Sequence, residues 1–214
     1  RIGFAAVNTA DGTLTSFTAD VGEAQYITTI AISPDGSKLY ASGSFDSIAG
    51  VKKSCCLASF DLPDGKLNSF GLLSIESISA IAFNDDGSRI YFGGLSPVIS
   101  LDVGPRYNIV KLWADGSLAT EFAPVLDLYS GGVRTMTLSP DKSTLYITGA
   151  FTSIDGQPRK NAAALDPNTG ALKPFNPSLF PYSNTAAISP DGKTLYVGGG
   201  WTTAGGQTRN HVAA

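Results

Sequence analysis

The sequence predicts an all-β fold of about four repeats, and two recurring segments with one common spacing predict it. The first segment reads IAISPDGSKLYASGSF from Ile30, and its tyrosine recurs at separations of 51, 55 and 50 residues, as Tyr40, Tyr91, Tyr146 and Tyr196. The second reads AAALDPNTGALKPF from Ala162, and its turn glycine recurs as Gly12, Gly65, Gly116 and Gly170. Two independent markers with one period indicate internal repeats.

Each segment has the pattern of a β-hairpin. In the first segment an apolar stretch is followed by Ser-Pro-Asp-Gly or a close variant, and then by an alternating stretch such as residues 194–197. Proline suits the second position of a turn, and Asp-Gly tolerates left-handed geometry. In the second segment Asp-Gly or Thr-Gly separates two short strands. Two hairpins give four antiparallel strands per repeat, which is the blade of a β-propeller, and no stretch has helical periodicity.

The repeat boundaries predict a single propeller array over residues 1–214. We predict a partial blade, three complete blades and a second partial blade, at residues 1–20, 25–71, 76–123, 131–176 and 182–214. Because residues 1–6 and 209–214 occupy the same part of the repeat, we expect a segment of a longer array, such as a ring of six to eight blades. The alternative is a closed four-bladed ring in which the N-terminal hairpin completes the last blade.

Composition narrows the classes of partner. Charged residues make up 15 % of the chain, against roughly 25 % in typical soluble domains, and the net charge is −3. No basic patch is present, so we do not expect nucleic acid as a partner. No apolar run approaches the length of a membrane span. Low charge with 24 glycines is common in secreted and cell-surface proteins, so we expect an extracellular or cell-surface location.

The third repeat carries a family resemblance. The run LYITGAFTSIDGQPRKNAAALDPNTGALKPFNP, residues 145–177, resembles the repeats of secreted and cell-surface β-propellers, and SPDGKTLYVGG in the fourth repeat resembles YVTN-type surface-layer propellers. The second repeat departs from the pattern, because Leu95-Ser96-Pro97 stands where the others have the aromatic motif. The resemblance implies an adhesion or scaffold module more readily than an enzyme, although a fold does not by itself define a function.

Candidate chemistry is sparse. The only cysteines are the adjacent pair Cys55 and Cys56, for which three alternatives are open: a vicinal disulfide, bonds to cysteines elsewhere, or two free thiols. Two thiols are too few for a zinc site made of cysteines alone, and turn formation explains the Asp-Gly aspartates without calcium. The sole histidine, His211, has no Gly-x-Ser-x-Gly element to act with. We therefore predict no catalytic residue, no metal site and no cofactor.

Two sets of residues receive structural or binding roles. The repeated set comprises aromatic residues at one shared position and arginines that follow a loop glycine, and we predict that it maintains the fold: Phe45, Phe151, Trp201, Arg159 and Arg209. The second set consists of aromatics outside the repeat pattern, and we predict that it contacts a partner or ligand: Tyr129, Phe180 and Tyr182.

The function predicted from these observations is that of a non-enzymatic extracellular or cell-surface propeller. It would serve as a structural, adhesion or protein-interaction module, with self-association as one mode of contact. A carbohydrate- or ligand-binding propeller, resembling a lectin, is the first alternative. An enzyme whose active site lies outside this segment is the second.

Overall fold

The computed structural model describes residues 5–19, 26–45, 47–52, 57–68, 74–75, 78–100 and 104–213. The regular structure of these residues consists of β-strands, and all the strand pairs between them are antiparallel. No helix occurs in these ranges, and hence none that is long and apolar enough to cross a membrane. The chain is therefore all-β, with the repeated antiparallel sheets of a β-propeller, as the sequence predicts.

The first part of the chain forms a hairpin and then a four-stranded blade. The hairpin consists of β1 (Ala5–Val7) and β2 (Leu14–Thr18). The chain then forms six strands: β3 (Tyr26–Ile32), β4 (Lys38–Ser44), β5 (Ser47–Ile48), β6 (Val51–Lys52), β7 (Leu57–Asp61) and β8 (Lys66–Asn68). The first blade is the sheet with the strand order β3-β4-β7-β8. The pair β5 and β6 is a small hairpin between β4 and β7 that the sequence pattern did not identify.

The second and third blades repeat this arrangement with longer central strands. The second contains β9 (Ser74–Ile75), β10 (Ile78–Phe83), β11 (Arg89–Ser100) and β12 (Gly104–Trp113). The third contains β13 (Leu126–Leu138), β14 (Leu145–Ile154), β15 (Gln157–Pro158) and β16 (Ala162–Leu165). In both blades the predicted fourth strand is reduced to one bridge, between Leu112 and Leu118 and between Leu165 and Leu172.

The last sheet has three strands. These are β17 (Ser183–Ile188), β18 (Leu195–Gly199) and β21 (Val212–Ala213), and β21 pairs with β18. Between β18 and β21, the strands β19 (Thr203–Ala204) and β20 (Gln207–Thr208) form a separate small hairpin. The hairpin of β1 and β2 is a separate sheet, and it packs on the first blade through Phe17, which stacks edge-on against Phe60. The structure therefore differs from the four-bladed alternative, because β21 and not β1 lies beside β18.

The Ser-Pro-Asp-Gly turns fix the register of each inner hairpin. In the first blade the Ser33 hydroxyl donates to the Asp35 carboxylate at 2.6 Å and accepts from the Lys38 amide at 2.9 Å. The Ser33 and Ser37 hydroxyls hold the pKa of Asp35 down at about 2. The third and fourth blades repeat the serine–aspartate bond at Ser139–Asp141 and Ser189–Asp191. These aspartates are therefore engaged by their own turns.

The core lies between stacked sheets. Each sheet has a trailing face, which bears the repeat tyrosine, and a leading face, which bears the residues on either side of that tyrosine. Tyr40 and Leu57 on the first trailing face pack against Ile90, Phe92 and Leu112 on the second leading face. The next interface is built in the same way, where Tyr91 and Phe122 contact the leading face of the third blade. Each interface thus joins one trailing face to the following leading face.

One buried cation lies within the second blade, and the sequence pattern gives no sign of it. Lys111 is 1 % exposed, and its ammonium lies 2.7 Å from the Glu121 carboxylate. It also donates to the Asn168 carbonyl of the third blade at 2.6 Å. A buried ammonium requires such partners because desolvation without them is costly. Lys111 therefore ties the second blade to the outer turn of the third.

Candidate binding surface

The connection between the third and fourth blades exposes two aromatic rings. Phe180 is 52 % exposed and Tyr182 is 37 % exposed. The two residues flank Pro181 in the segment directly before β17. The peptide bond between Phe180 and Pro181 is cis. Large exposed aromatics on a fixed backbone are typical of contact surfaces, because they offer apolar area at little cost in conformational entropy.

Asn161 fixes the backbone that carries these rings. Its side chain is fully buried, and its Nδ2 donates to the carbonyls of Leu179 and Pro181, the second at 2.8 Å. Its Oδ1 accepts from the Phe151 amide at 3.1 Å. Asn161 adopts a left-handed backbone (φ 65°), which asparagine tolerates better than most residues. One side chain therefore connects the third blade to the exposed segment.

Each exposed ring carries a cation. The Arg134 guanidinium carbon lies 4.9 Å from the centroid of Tyr182, and the Lys160 ammonium lies 5.7 Å from that of Phe180. Arg134 also donates to the side-chain carbonyl of Asn184, which anchors it at the start of β17. Cations at these distances are attracted to the ring faces. We call Phe180, Tyr182, Arg134 and Lys160 the aromatic–cation patch.

Gly200 lies against the Tyr182 ring. A Cβ atom at this position would lie 2.5 Å from Cζ of Tyr182. The ring therefore packs on the backbone of the fourth blade at Gly200. Any larger residue at position 200 would displace the ring. The glycine run after the repeat tyrosine thus has a packing role here.

The structure describes the side chains of two of the three predicted contact residues. Phe180 and Tyr182 both lie on the exposed segment, where each ring has its own cation. Tyr129 lies in β13, and its side chain is outside the part of the chain that the structure describes. Cys55 and Cys56 lie outside the described residues, so the vicinal disulfide stays a prediction.

The repeated residues make internal contacts. Phe45, Phe151 and Trp201 are 5 %, 0 % and 0 % exposed and lie in three different apolar clusters. The Arg159 guanidinium donates to the carbonyls of Pro158 at 2.8 Å and Lys173 at 3.4 Å, and Arg209 donates to the Thr208 carbonyl at 3.2 Å. Both arginines thus donate to backbone carbonyls, and the fold-maintaining role given to them from the sequence stays a prediction.

Several aspartates and tyrosines are engaged by local turns or buried in the core. Hydrogen bonds within their own turns lower the pKa of Asp11, Asp86, Asp115 and Asp191. Burial raises the pKa of Tyr40 and Tyr91 to about 12. No three His, Cys, Asp or Glu side chains come close enough to hold a metal ion in the described ranges. The patch itself offers ring faces and cationic donors, which suit an apolar group beside an acceptor.

Sequence reasoning missed Asn161, Arg134 and Lys160. A signal for Asn161 was available, because the same repeat position holds Asn108, Asn161 and His211, residue types that adopt a left-handed backbone more readily than most, and all three adopt it. For Arg134 no local signal exists, because its contact with Tyr182 depends on how two blades stack.

The stacked antiparallel sheets and their repeat define a β-propeller repeat array. Within it, residues 11–50 match the family model of the WD domain, G-beta repeat. This stretch contains β2 and the first strands of the first blade. The match supports a propeller repeat family; it does not extend to the secreted YVTN-like family, which stays a prediction. No curated protein matches the chain.

Proposed function

We propose that this array is a non-enzymatic protein-interaction module that binds partners through the aromatic–cation patch. WD repeats generally serve as protein-interaction scaffolds, and residues 11–50 match that repeat. The single observation that carries the proposal is the combination of exposure and fixation. Phe180 and Tyr182 offer their rings to solvent, while Asn161 holds the backbone between them.

The chemistry of the patch defines the partner. A fixed ring loses little entropy on binding, so the contact retains more of its gross energy. Arg134 and Lys160 flank the rings and can donate to carboxylates or backbone carbonyls. We therefore expect the patch to favour a peptide segment with one large apolar side chain beside an acidic residue.

The test is a selection of short random peptides on the immobilised chain. Peptides that bind the wild type should lose about 10-fold or more in Kd against Phe180→Ala and Tyr182→Ala, because exposed aromatic anchors dominate such contacts. Trp113→Ala is the matched control, since Trp113 is also 37 % exposed and carries Arg89 at 5.3 Å from its ring. Equal binding of the selected peptides to Phe180→Ala, Tyr182→Ala and the wild type would refute the assignment of this surface.

A sugar ligand is the second candidate, because exposed aromatic rings also stack on sugar faces. The same variants on a glycan array decide between the two. A sugar that binds the wild type and not Phe180→Ala would establish a lectin-like function. An array without any bound sugar would remove this candidate.

We also propose an extracellular or cell-surface location. The supporting observation is the low fraction of charged residues, 15 %, together with the resemblance of the third repeat to surface propellers. An antibody against the folded chain should stain intact cells as strongly as permeabilised ones. Staining that requires permeabilisation would contradict the proposal.

A further inference from the structure

A polar cavity lies between the second and third blades, beside their inner turns. It has a volume of about 280 Å³, and most of the residues that line it carry a charge or an amide: Asn84, Asp85, Asp86, Arg89, Lys142 and Asn168. Pockets for drug-sized ligands are larger, at about 300–1,000 Å³, and are mostly apolar. A cavity of this size and lining therefore suits a smaller, polar molecule. We call it the inter-blade pocket.

Three side chains of the second blade hold one wall of this pocket in place. The Tyr91 hydroxyl donates to the Pro167 carbonyl at 2.9 Å, and the Lys111 ammonium donates to the Asn168 carbonyl at 2.6 Å. The Arg89 guanidinium donates to the side-chain carbonyl of Asn168. These bonds fix the outer turn of the third blade against the second blade. The pocket is thus preorganised, and binding there has few further groups to order.

The inter-blade pocket brings two cations and two carboxylates together. The Asp85 carboxylate lies 3.0 Å from the Lys142 ammonium, and Arg89 and Asp86 also line the pocket. Hydrogen bonds from Ser88 lower the pKa of Asp86, so this carboxyl is ionised at neutral pH. The pocket therefore presents fixed charges of both signs, and their sum is zero.

The Arg89 guanidinium is held in place and still has donors for a ligand. Its central carbon lies 5.3 Å from the centroid of the Trp113 ring, and its Nη1 donates to Asn168. Its Nε is buried and has no acceptor in the part of the chain that the structure describes. A guanidinium has five N–H donors in a planar fork that matches a carboxylate. A carboxylate in the pocket can therefore pair with Arg89 without displacing Asn168.

We propose that the inter-blade pocket binds a free α-amino acid. The carboxylate of the amino acid pairs with Lys142 and Arg89, and its ammonium pairs with Asp85 and Asp86. An anion alone would be repelled by the two aspartates, and a cation alone would be repelled by the lysine and the arginine. In an α-amino acid both charges are attached to one carbon. Because Asp85 and Lys142 are only 3.0 Å apart, one small molecule can reach both.

The ion pair in the pocket can open at little cost. The side chains of Asp85 and Lys142 are 74 % and 36 % exposed, and ion pairs exposed to this extent contribute little to stability. A bound amino acid replaces this pair by two pairs with the ligand. Between the first two blades the corresponding residues are Pro34 and Gly87, which carry no charge and lie in contact, since a Cβ at Gly87 would be 3.3 Å from Cδ of Pro34.

Isothermal titration calorimetry of the full chain with each of the standard amino acids tests the inference. At least one amino acid should bind with a Kd below about 1 mM. It is then compared with its decarboxylated amine and its deaminated acid, each of which carries one of its two charges. Both should bind about 10-fold more weakly or worse, because each loses one charged pair.

Two substitutions remove the charges of the pocket and keep the type of turn. Lys142→Gly and Asp85→Pro introduce the residue types that Gly87 and Pro34 provide between the first two blades, so both variants should fold, as circular dichroism can verify. Each should weaken binding of the amino acid by about 10-fold or more, because each removes one charged partner of the ligand.

Lys38→Thr is the matched control. Lys38 has the repeat position of Arg89 in the first blade, and its ammonium bonds Asp61 at 2.9 Å, outside the pocket. Thr144 has the same position in the third blade, so threonine is compatible with the fold there. This variant should bind the amino acid as the wild type does.

Four results would overturn the inference. These are binding of no amino acid, equal affinity for the amine or the acid, binding that survives both Lys142→Gly and Asp85→Pro, and loss of binding in Lys38→Thr. The inference is independent of the proposed function, because the inter-blade pocket shares no residue with the aromatic–cation patch. Phe180→Ala should therefore leave amino-acid binding unchanged, and Lys142→Gly should leave binding of the selected peptides unchanged.

Discussion

Asn161 offers the sharpest test of how the third blade holds the exposed segment. The perturbation is Asn161→Gly, which removes the side chain and keeps a residue that adopts φ 65° without strain. The substitution leaves three backbone groups without this partner: the carbonyls of Leu179 and Pro181 and the amide of Phe151. Asn161→Ala removes the same polar groups but keeps the Cβ of asparagine in the left-handed backbone, whereas Asn161→Gly removes that Cβ as well.

The magnitude follows from these three groups. A buried hydrogen bond contributes about 1 kcal/mol net, so loss of the three bonds in Asn161→Ala should lower the free energy of unfolding by about 3 kcal/mol. Asn161→Gly should lose roughly 1 kcal/mol less, because glycine removes the Cβ from the left-handed region. The free energy of unfolding should therefore decrease in the order wild type, Asn161→Gly, Asn161→Ala. This order is expected of a residue that stabilises the fold through both its side chain and its backbone angle.

Urea unfolding followed by circular dichroism measures both variants, and peptide binding measures the effect on the patch. Because Asn161 positions the segment without touching a ligand, we expect weaker binding from Asn161→Gly even at a urea concentration where it is fully folded. Asn210→Gly is a control at an exposed position near the equivalent strand of the last blade. An ordinary surface substitution changes the free energy of unfolding by up to about 0.5 kcal/mol. If Asn161→Gly stays within that range of the wild type, the stabilising role given to the Asn161 side chain is refuted.

Two further predictions concern the interfaces between blades. Tyr91→Phe removes a buried bond from the tyrosine hydroxyl to the Pro167 carbonyl at 2.9 Å, and should cost about 1 kcal/mol in urea unfolding. Burial raises the pKa of Tyr40 and Tyr91 from 10.0 to about 12. The stability that comes from keeping these hydroxyls protonated is therefore complete below pH 10 and is lost as the pH rises towards 12. Tyr91→Phe should make this loss of stability less steep, and an unchanged slope would contradict the raised pKa of Tyr91. At two interfaces a turn proline faces a turn glycine, since a Cβ at Gly87 would lie 3.3 Å from Cδ of Pro34 and one at Gly192 would lie 3.2 Å from Cδ of Pro140; at the second interface Asp85 and Lys142 form an ion pair instead. Asp85→Pro with Lys142→Gly gives this interface the proline–glycine contact and should be at least as stable as the wild type. Glycine relieves the left-handed backbone of Lys142 (φ 57°), and an exposed ion pair contributes under about 1 kcal/mol. In the double-mutant cycle the two changes should be coupled, and strict additivity would show that they do not share a contact.

The sequence predicted the features of this fold that depend on short segments. The inner hairpins were predictable because Ser33, Asp35 and Gly36 make their turn within a few residues, and the same chemistry returns in later repeats. The period was predictable for the same reason. The small hairpin of β5 and β6 was missed, because its strands have only two residues each and carry no alternating pattern.

The candidate surface was predictable only in part. Phe180 and Tyr182 departed from the repeat, which drew attention to them as exposed aromatics. Their cations could not be identified, because the contact of Arg134 with Tyr182 depends on how the third blade stacks on the fourth. The burial of Lys111 was equally hidden, since its two partners lie on different blades.

The departures from the repeat locate the surface more sharply than the repeats do. At the start of the inner strand, the first two blades use a hydroxyl to bond the next blade: Thr28 to the Ile78 carbonyl at 3.0 Å, and Ser79 to the Val133 carbonyl at 2.8 Å. At the same position the third blade has Arg134, a side chain too long for that bond. Its guanidinium extends to Asn184 and the Tyr182 ring, while the neighbouring Thr135 hydroxyl bonds the Asn184 carbonyl at 3.1 Å. The link between blades is thus preserved by Thr135, and the Arg134 side chain contributes its guanidinium to the proposed contact surface.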